Sequence, residues 1–166
     1  MKIKVLIISI CVIIVGVLVG ILLTRNPEQK IIKVSEIKRL YFSYSNGYMA
    51  NSNVIYELEN DSYGCKVTIK PYEAPYEQEM SLYVSDKVSK KVEDVLNQYN
   101  VAKWDGFRGN DPYVLDGDSF SMTLTLKDGT DISASGYMEW PNNYSNVRNE
   151  LDNIFMEIYY ETDRGY

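Results

Sequence analysis

The 166-residue chain carries 17 lysines and arginines against 23 aspartates and glutamates, with no histidine and two cysteines. The missing histidine removes Ser-His-Asp and Cys-His nucleophilic catalysis in their usual form, histidine-ligated zinc and the commonest general base. Two cysteines, one of them inside an apolar run, leave no thiolate metal site, and neither G-x-x-x-x-G-K nor G-x-G-x-x-G occurs to cradle a phosphate.

Residues 3–23 read IKVLIISICVIIVGVLVGILL, with Lys4 as the only charge. A helix of that length spans about 31 Å, matching a hydrocarbon core of about 30 Å. A cleavable signal peptide has a shorter apolar region ending at small residues. Here the run leaves through Leu22, Leu23, Thr24 and Arg25, and Cys11 follows Ile10 rather than a small residue, so there is no lipobox. An uncleaved transmembrane signal anchor is expected over residues 1–24, followed by a tether over 25–37 and one folded domain over 38–166. Flanking Lys and Arg are nearly balanced. The two-residue tail before the span and the large domain after it favour the N-terminus inside and the domain outside the cytoplasmic membrane. Gly16 and Gly20 form a G-x-x-x-G pair that lets two such helices approach as a homodimer.

Lys2 and Lys4 are the only charges in the first 24 residues, so the rest of the chain, tether and domain together, keeps 15 of the 17 basic residues and all 23 acidic ones, a net charge of −8. Such a surface repels nucleic acid and anionic polymers and accommodates basic or neutral partners.

Strand signals open the domain. Leu40, Phe42 and Tyr44 alternate through 38–45, Val54, Tyr56 and Leu58 through 53–59, and Cys65, Val67 and Ile69 through 64–70. Together these predict a meander. The proline-broken PYEAPYEQE predicts an acidic loop, and 80–84 a fourth strand. Val88, Val92, Val95, Leu96 and Tyr99 form one helical stripe through 86–99, with Ser85 or Asp86 at its start and Asn100 at its end. Phe120, Met122, Leu124 and Leu126 share one face of 119–127, and Asp128-Gly129 predicts a two-residue type I′ turn into a partner strand over 130–138. A second helix follows Trp140-Pro141, with Val147, Leu151, Ile154, Phe155 and Ile158 as its stripe. The fold class expected is α+β: a two-layer sandwich in which two helices cover one face of an antiparallel sheet of five or six strands, a meander plus a hairpin.

Between the first helix and the hairpin lies WDGFRGNDPYVLDGDSF, residues 104–120. It is longer than the usual connection. Trp104 and Phe107 are expected to pin it against the sheet near Trp140. Asp105, Asp111, Asp116 and Asp118 (with Asn110) offer hard oxygens to calcium, although their spacing is not that of an EF-hand loop. The same carboxylates supply the acid and base of a glycosidase on envelope glycan, or turn-forming side chains that bond nearby amides. Fifteen tyrosines all lie beyond residue 40. Tyr44, Tyr56 and Tyr99 occupy inward positions. Tyr48, Tyr63, Tyr72, Tyr76, Tyr113 and Tyr166 fall in turns and loops, where tyrosine gives amphipathic contact area. The candidate ligand-binding set is Trp104, Asp105, Phe107, Asp111, Tyr113, Asp116, Asp118, Tyr137 and Trp140.

The blocks W-D-G-F, D-G-D-S-F and G-Y-x-x-W-P-x-N-Y, within residues 101–144, resemble a family of uncharacterised membrane-anchored or lipoprotein-like outer domains of Gram-positive bacteria, and the likeness extends over most of 38–160. The resemblance implies an extracytoplasmic location and this fold, and carries over no functional residue and no cofactor. The expected function is a non-catalytic binding module outside the cytoplasmic membrane, for a protein or cell-envelope ligand. The alternatives are an envelope-glycan hydrolase using loop carboxylates, or an immunity-type inhibitor of a basic toxin.

Overall fold

The computed structural model of the chain describes residues 32–45, 47, 53–71 and 79–163. The expected anchor, with Gly16 and Gly20, most of the tether, the loop over 72–78 and the positions Tyr48, Tyr72, Tyr76 and Tyr166 lie outside these residues. Among the described residues no helix is long and apolar enough to cross a membrane.

Among the described residues the domain is α+β, with a seven-stranded sheet and two helices. The strands are β1 (Ile37–Ser45), β2 (Asn53–Asp61), β3 (Gly64–Lys70), β4 (Met80–Val84), β5 (Arg108–Asn110), β6 (Ser119–Leu126) and β7 (Asp131–Tyr137). The helices are α1 (Asp86–Gln98) and α2 (Tyr144–Asp163), which pack against each other. The sheet order is β4-β3-β2-β1-β6-β7-β5. The meander therefore has four strands, and the hairpin joins it through β1 and β6.

Two sequence expectations are corrected. The sheet is mixed rather than antiparallel and has seven strands rather than five or six, because β5 runs parallel to β7, with Arg108 opposite Ser135 and Asn110 opposite Tyr137. Arg-Gly-Asn has no apolar alternation, so its strand character rests on backbone pairing alone. The hairpin turn is also not the two-residue type I′. Leu126 N donates to Thr130 O at 2.8 Å, which leaves a three-residue loop, and within it only Gly129 takes a positive φ, 87°. That is the geometry of a turn closed by a left-handed glycine. Asp128 Oδ1 accepts from Thr130 N instead of adopting a left-handed backbone itself.

The period-2 faces form the core. Leu40, Phe42, Val54, Tyr56, Leu58, Cys65, Val67, Ile69, Phe120, Met122, Leu124, Ile132 and Ala134 are all buried on the helix-covered side. Val92 and Leu96 of α1 meet them, as do Val147, Leu151 and Phe155 of α2. Tyr56 and Phe155 stack at 4.7 Å with rings 8° from parallel. Full burial of one such side chain contributes about 1.5–3 kcal/mol. Ser85 caps α1 by accepting from Lys87 N, and Asn100 (φ 53°) ends it in the left-handed region.

Before β1 the chain is clamped. Val34 N donates to Asn97 Oδ1 at 2.9 Å, and Asn97 Nδ2 donates back to Val34 O at 2.6 Å. Glu93, itself buried, accepts from Ile37 N through Oε1.

On the other side of the layer interface, Asp152 of α2 joins the first two strands of the meander, β1 and β2. Its Oδ1 accepts from Tyr44 Oη at 2.8 Å and from Tyr56 Oη at 2.9 Å. Burial, reinforced by the Asp152 charge, pushes the Tyr44 hydroxyl up to about 12. Burial also raises Tyr56 and Tyr144 well above the ordinary tyrosine range.

Two predictions follow from this network. An unfolded tyrosine ionises near pH 10, whereas these three keep their protons in the folded state. Their contribution is complete below about pH 10 and falls as the pH rises towards 12. Urea midpoints should hold to about pH 9.5 and then drop, with part of the tyrosinate absorbance appearing only on unfolding; reversible ionisation of every tyrosine near pH 10 in the folded protein would contradict this. Asp152→Ala leaves two phenolic hydroxyls without their acceptor and should cost about 2–3 kcal/mol, with Asp152→Asn costing less because one acceptor oxygen remains.

Candidate functional site

After α1 a single 3-10 turn, Val101–Trp104, brings the chain to the β7 edge. There β5 forms, and the chain then crosses the end of β7 to begin β6. The crossing is fastened to β7 and its exit. Asp111 N donates to Tyr137 O at 3.0 Å, Gly117 N to Tyr137 Oη at 2.8 Å, and Asp118 N to the Met138 sulfur at 3.2 Å. Met138 N donates to Asp118 O at 3.0 Å and takes a left-handed backbone, φ 56°, uncommon for so bulky a residue.

The three indole and phenyl rings of the candidate set meet at Phe120. Trp104 touches it edge-on at 6.1 Å, Phe107 at 6.3 Å and Trp140 at 5.6 Å. Trp104 is buried and its Nε1 donates to Asn142 O at 3.0 Å, so it is a pillar of the core. Trp140 stacks on Tyr144 at 4.6 Å and 16°, and keeps 37 % of its surface exposed.

The aspartates are dispersed. Asp105 Oδ1 accepts from Ser133 N, Asp111 Oδ1 from Tyr113 N and Asp118 Oδ1 from Gly47 N. Asp116 is exposed. Among the described residues no three histidine, cysteine, aspartate or glutamate side chains come together where a metal ion could be held. Three of the four carboxylates proposed for calcium thus serve backbone amides, the role that turn chemistry gives aspartate.

Between these fastenings the loop carries an apolar tip. Tyr113 and Leu115 are 93 % and 92 % exposed. Tyr137, by contrast, is half-buried, with its hydroxyl engaged by Gly117.

Two hollows border Trp140. One, of about 220 Å³, is lined by Tyr44, Ser45, Asp118, Ser119, Trp140, Tyr144, Ser145 and Arg148. The other, of about 350 Å³, includes Tyr99, Lys103, Trp104, Phe107, Trp140 and Asn142. The loop and the segment after β7 therefore meet at concave surfaces, but Asp105, Asp111, Tyr113 and Asp116 border neither. A larger hollow of about 510 Å³ lies at the opposite end of the sheet, among Glu36, Asn60, Asp61, Lys90, Glu93 and Lys127. Its polar groups are largely occupied: Glu93 receives Ile37 N and Lys90, and Asn60 Nδ2 donates to Ile37 O and Ser89 Oγ.

Sequence reasoning did not single out Arg148. Its guanidinium carbon lies 4.2 Å from the Tyr44 ring centre, and its Nε stands 3.6 Å from Asp152 Oδ2. A signal existed: inward tyrosines need acceptors for their hydroxyls, and Asp152, between Leu151 and Phe155 on the α2 stripe, has an arginine one turn earlier.

No family model matches the chain, and no curated protein matches it.

Small residues let the segments close on one another. A Cβ built at Gly136 would fall on the Glu139 carbonyl oxygen and, at 2.6 Å, on the Phe120 ring. Gly136→Ala should therefore lower stability by about 1–3 kcal/mol as overpacking does and quench-shift the Trp140 fluorescence; an unchanged melting temperature and spectrum would show that the loop closes differently.

Proposed function

We propose that this chain is a non-catalytic binding module, held outside the cytoplasmic membrane by an uncleaved helix over residues 3–23 with its N-terminus inside. The observation that carries the binding reading is the loop over 111–117: fastened at both ends to Tyr137, it offers Tyr113 and Leu115 almost fully to solvent. Exposed apolar side chains on a rooted loop give contact area at low entropic cost. Asp111 and Asp116 flank this tip, and the net charge of −8 over residues 25–166 favours a partner whose rim is basic or neutral. The likeness of the blocks in 101–144 to Gram-positive outer domains points the same way for location.

Aspartates engaged with backbone amides support the binding reading over glycan hydrolysis, which needs a carboxylate pair free for proton transfer and a water. An immunity-type inhibitor of a basic toxin is one form the module could take. The test compares capture of partners from envelope extracts, or binding to cell walls, by the detergent-solubilised chain and by its Tyr113→Ala/Leu115→Ala variant. The variant should keep its melting temperature within about 1 °C, since surface changes seldom exceed ~0.5 kcal/mol, and lose at least tenfold in capture. Equal capture by both proteins, or none by either, would count against the reading.

A further inference from the structure

Among the described residues that line the smaller hollow beside Trp140 are a cation, Arg148, and an anion, Asp118, and Arg148 is held there by a fixed frame. The Tyr44 ring lies against one face of its guanidinium at 4.2 Å. Asp152 faces Nε at 3.6 Å, and is itself fixed by the hydroxyls of Tyr44 and Tyr56. At that distance Nε makes no hydrogen bond, although it is buried. The side chain is nevertheless 42 % exposed and lines the hollow. The hollow is also lined by Asp118, whose Oδ1 accepts from Gly47 N while its second oxygen remains, by the paired hydroxyls of Ser45 and Ser119, 2.7 Å apart, and by Ser145, one turn before Arg148 on α2. The Trp140 indole forms an apolar wall.

We propose that this hollow binds an α-carboxylate whose neighbouring carbon bears an N–H donor, the group common to a free amino acid and a peptide C-terminus. This rests on the binding-module reading, because Asp118 and Trp140 come from the candidate ligand-binding set. A simple anion meets Arg148 but is opposed by Asp118, Asp152 and the net negative domain. A simple cation meets Asp118 but is opposed by Arg148. A carboxylate with an adjacent N–H satisfies both, with the planar guanidinium fork taking the carboxylate and Asp118 accepting the N–H. The serine hydroxyls serve the remaining lone pairs, and Trp140 covers the side chain. About 220 Å³ is below the range of about 300–1,000 Å³ typical for a drug-sized ligand, so a terminal residue enters rather than a whole oligomer.

Titration calorimetry on the detergent-solubilised full chain tests this with three probes: free alanine, an alanine-terminated tetrapeptide with a free C-terminus, and the same tetrapeptide as its C-terminal amide. The free-acid peptide should bind at least ten times more tightly than the amide, and free alanine tells whether the ammonium form is also accepted. Arg148→Met should abolish binding, Arg148→Lys should retain part of it, and Asp118→Asn should weaken it. Equal binding of acid and amide, or no binding of any probe at about 10 mM, overturns the proposal, and both are read on the unaltered protein whether or not Arg148→Met folds. The Tyr113→Ala/Leu115→Ala variant separates the two readings: it should bind the free-acid peptide normally, so loss of partner capture alongside acid-insensitive peptide binding refutes the carboxylate site and leaves the module reading standing.

Discussion

One carboxylate oxygen determines how the helical layer sits on the sheet. Asp152 Oδ1 receives hydroxyls from adjacent strands, Tyr44 of β1 and Tyr56 of β2, and so fixes both the rotation of α2 and its position along the strands. A hydrophobic interface alone is tolerant of small sliding, because apolar contact has no direction. Two hydrogen bonds to one atom are not tolerant, since a phenol left without an acceptor in a buried place is costly. Everything at the loop end inherits that placement. Tyr144 begins α2 and stacks with Trp140, and Arg148 lies one turn before Asp152 against the Tyr44 ring.

The stretch from Trp104 to Phe120 is best understood as part of the sheet. It contributes the strand β5, a buried indole and two ring contacts to Phe120, and only its middle leaves the surface. Its aspartates draw the eye as ligands, yet an aspartate whose oxygen already accepts an amide is a fastening. The groups that line the small hollow lie nearby on residues far apart in sequence, Ser45 of β1, Ser119 of β6 and Arg148 of α2, with Asp118 alone drawn from this stretch and keeping one carboxylate oxygen beside the one that accepts from Gly47 N.

The legible parts of the fold were those with a period. Alternating Leu40, Phe42 and Tyr44, or Phe120, Met122 and Leu124, give a buried face with no knowledge of partners, and the five-residue stripes of the helices do the same. Asn100 was readable as a helix end because a short polar side chain tolerates the left-handed backbone. β5 was not readable, since three residues without alternation carry no local signal for a parallel pairing across 27 positions. The Asp128-Gly129 turn was half readable: the glycine showed that a positive φ was needed, and not how many residues would share the turn. At the site, Trp104, Phe107 and Trp140 were rightly grouped because aromatics in a loop seek a common apolar surface. Arg148 was overlooked because its meaning depends on Tyr44, 104 positions away.

The clamp before β1 gives the domain a mechanical character. Val34 is gripped through both its N–H and its C=O by the Asn97 amide, and β1 then runs as the middle strand of seven, antiparallel to β2 on one side and β6 on the other. A pull on the chain at Ile32, resisted at the Ser45 end where the small hollow lies, acts along β1. Bonds of an antiparallel ladder stand perpendicular to the strands, so such a load falls on both ladders together instead of opening them one bond at a time. The Asn97 amide takes the first strain. A tug applied there meets a shear-resistant sheet, whereas the short outer strand β5 would peel.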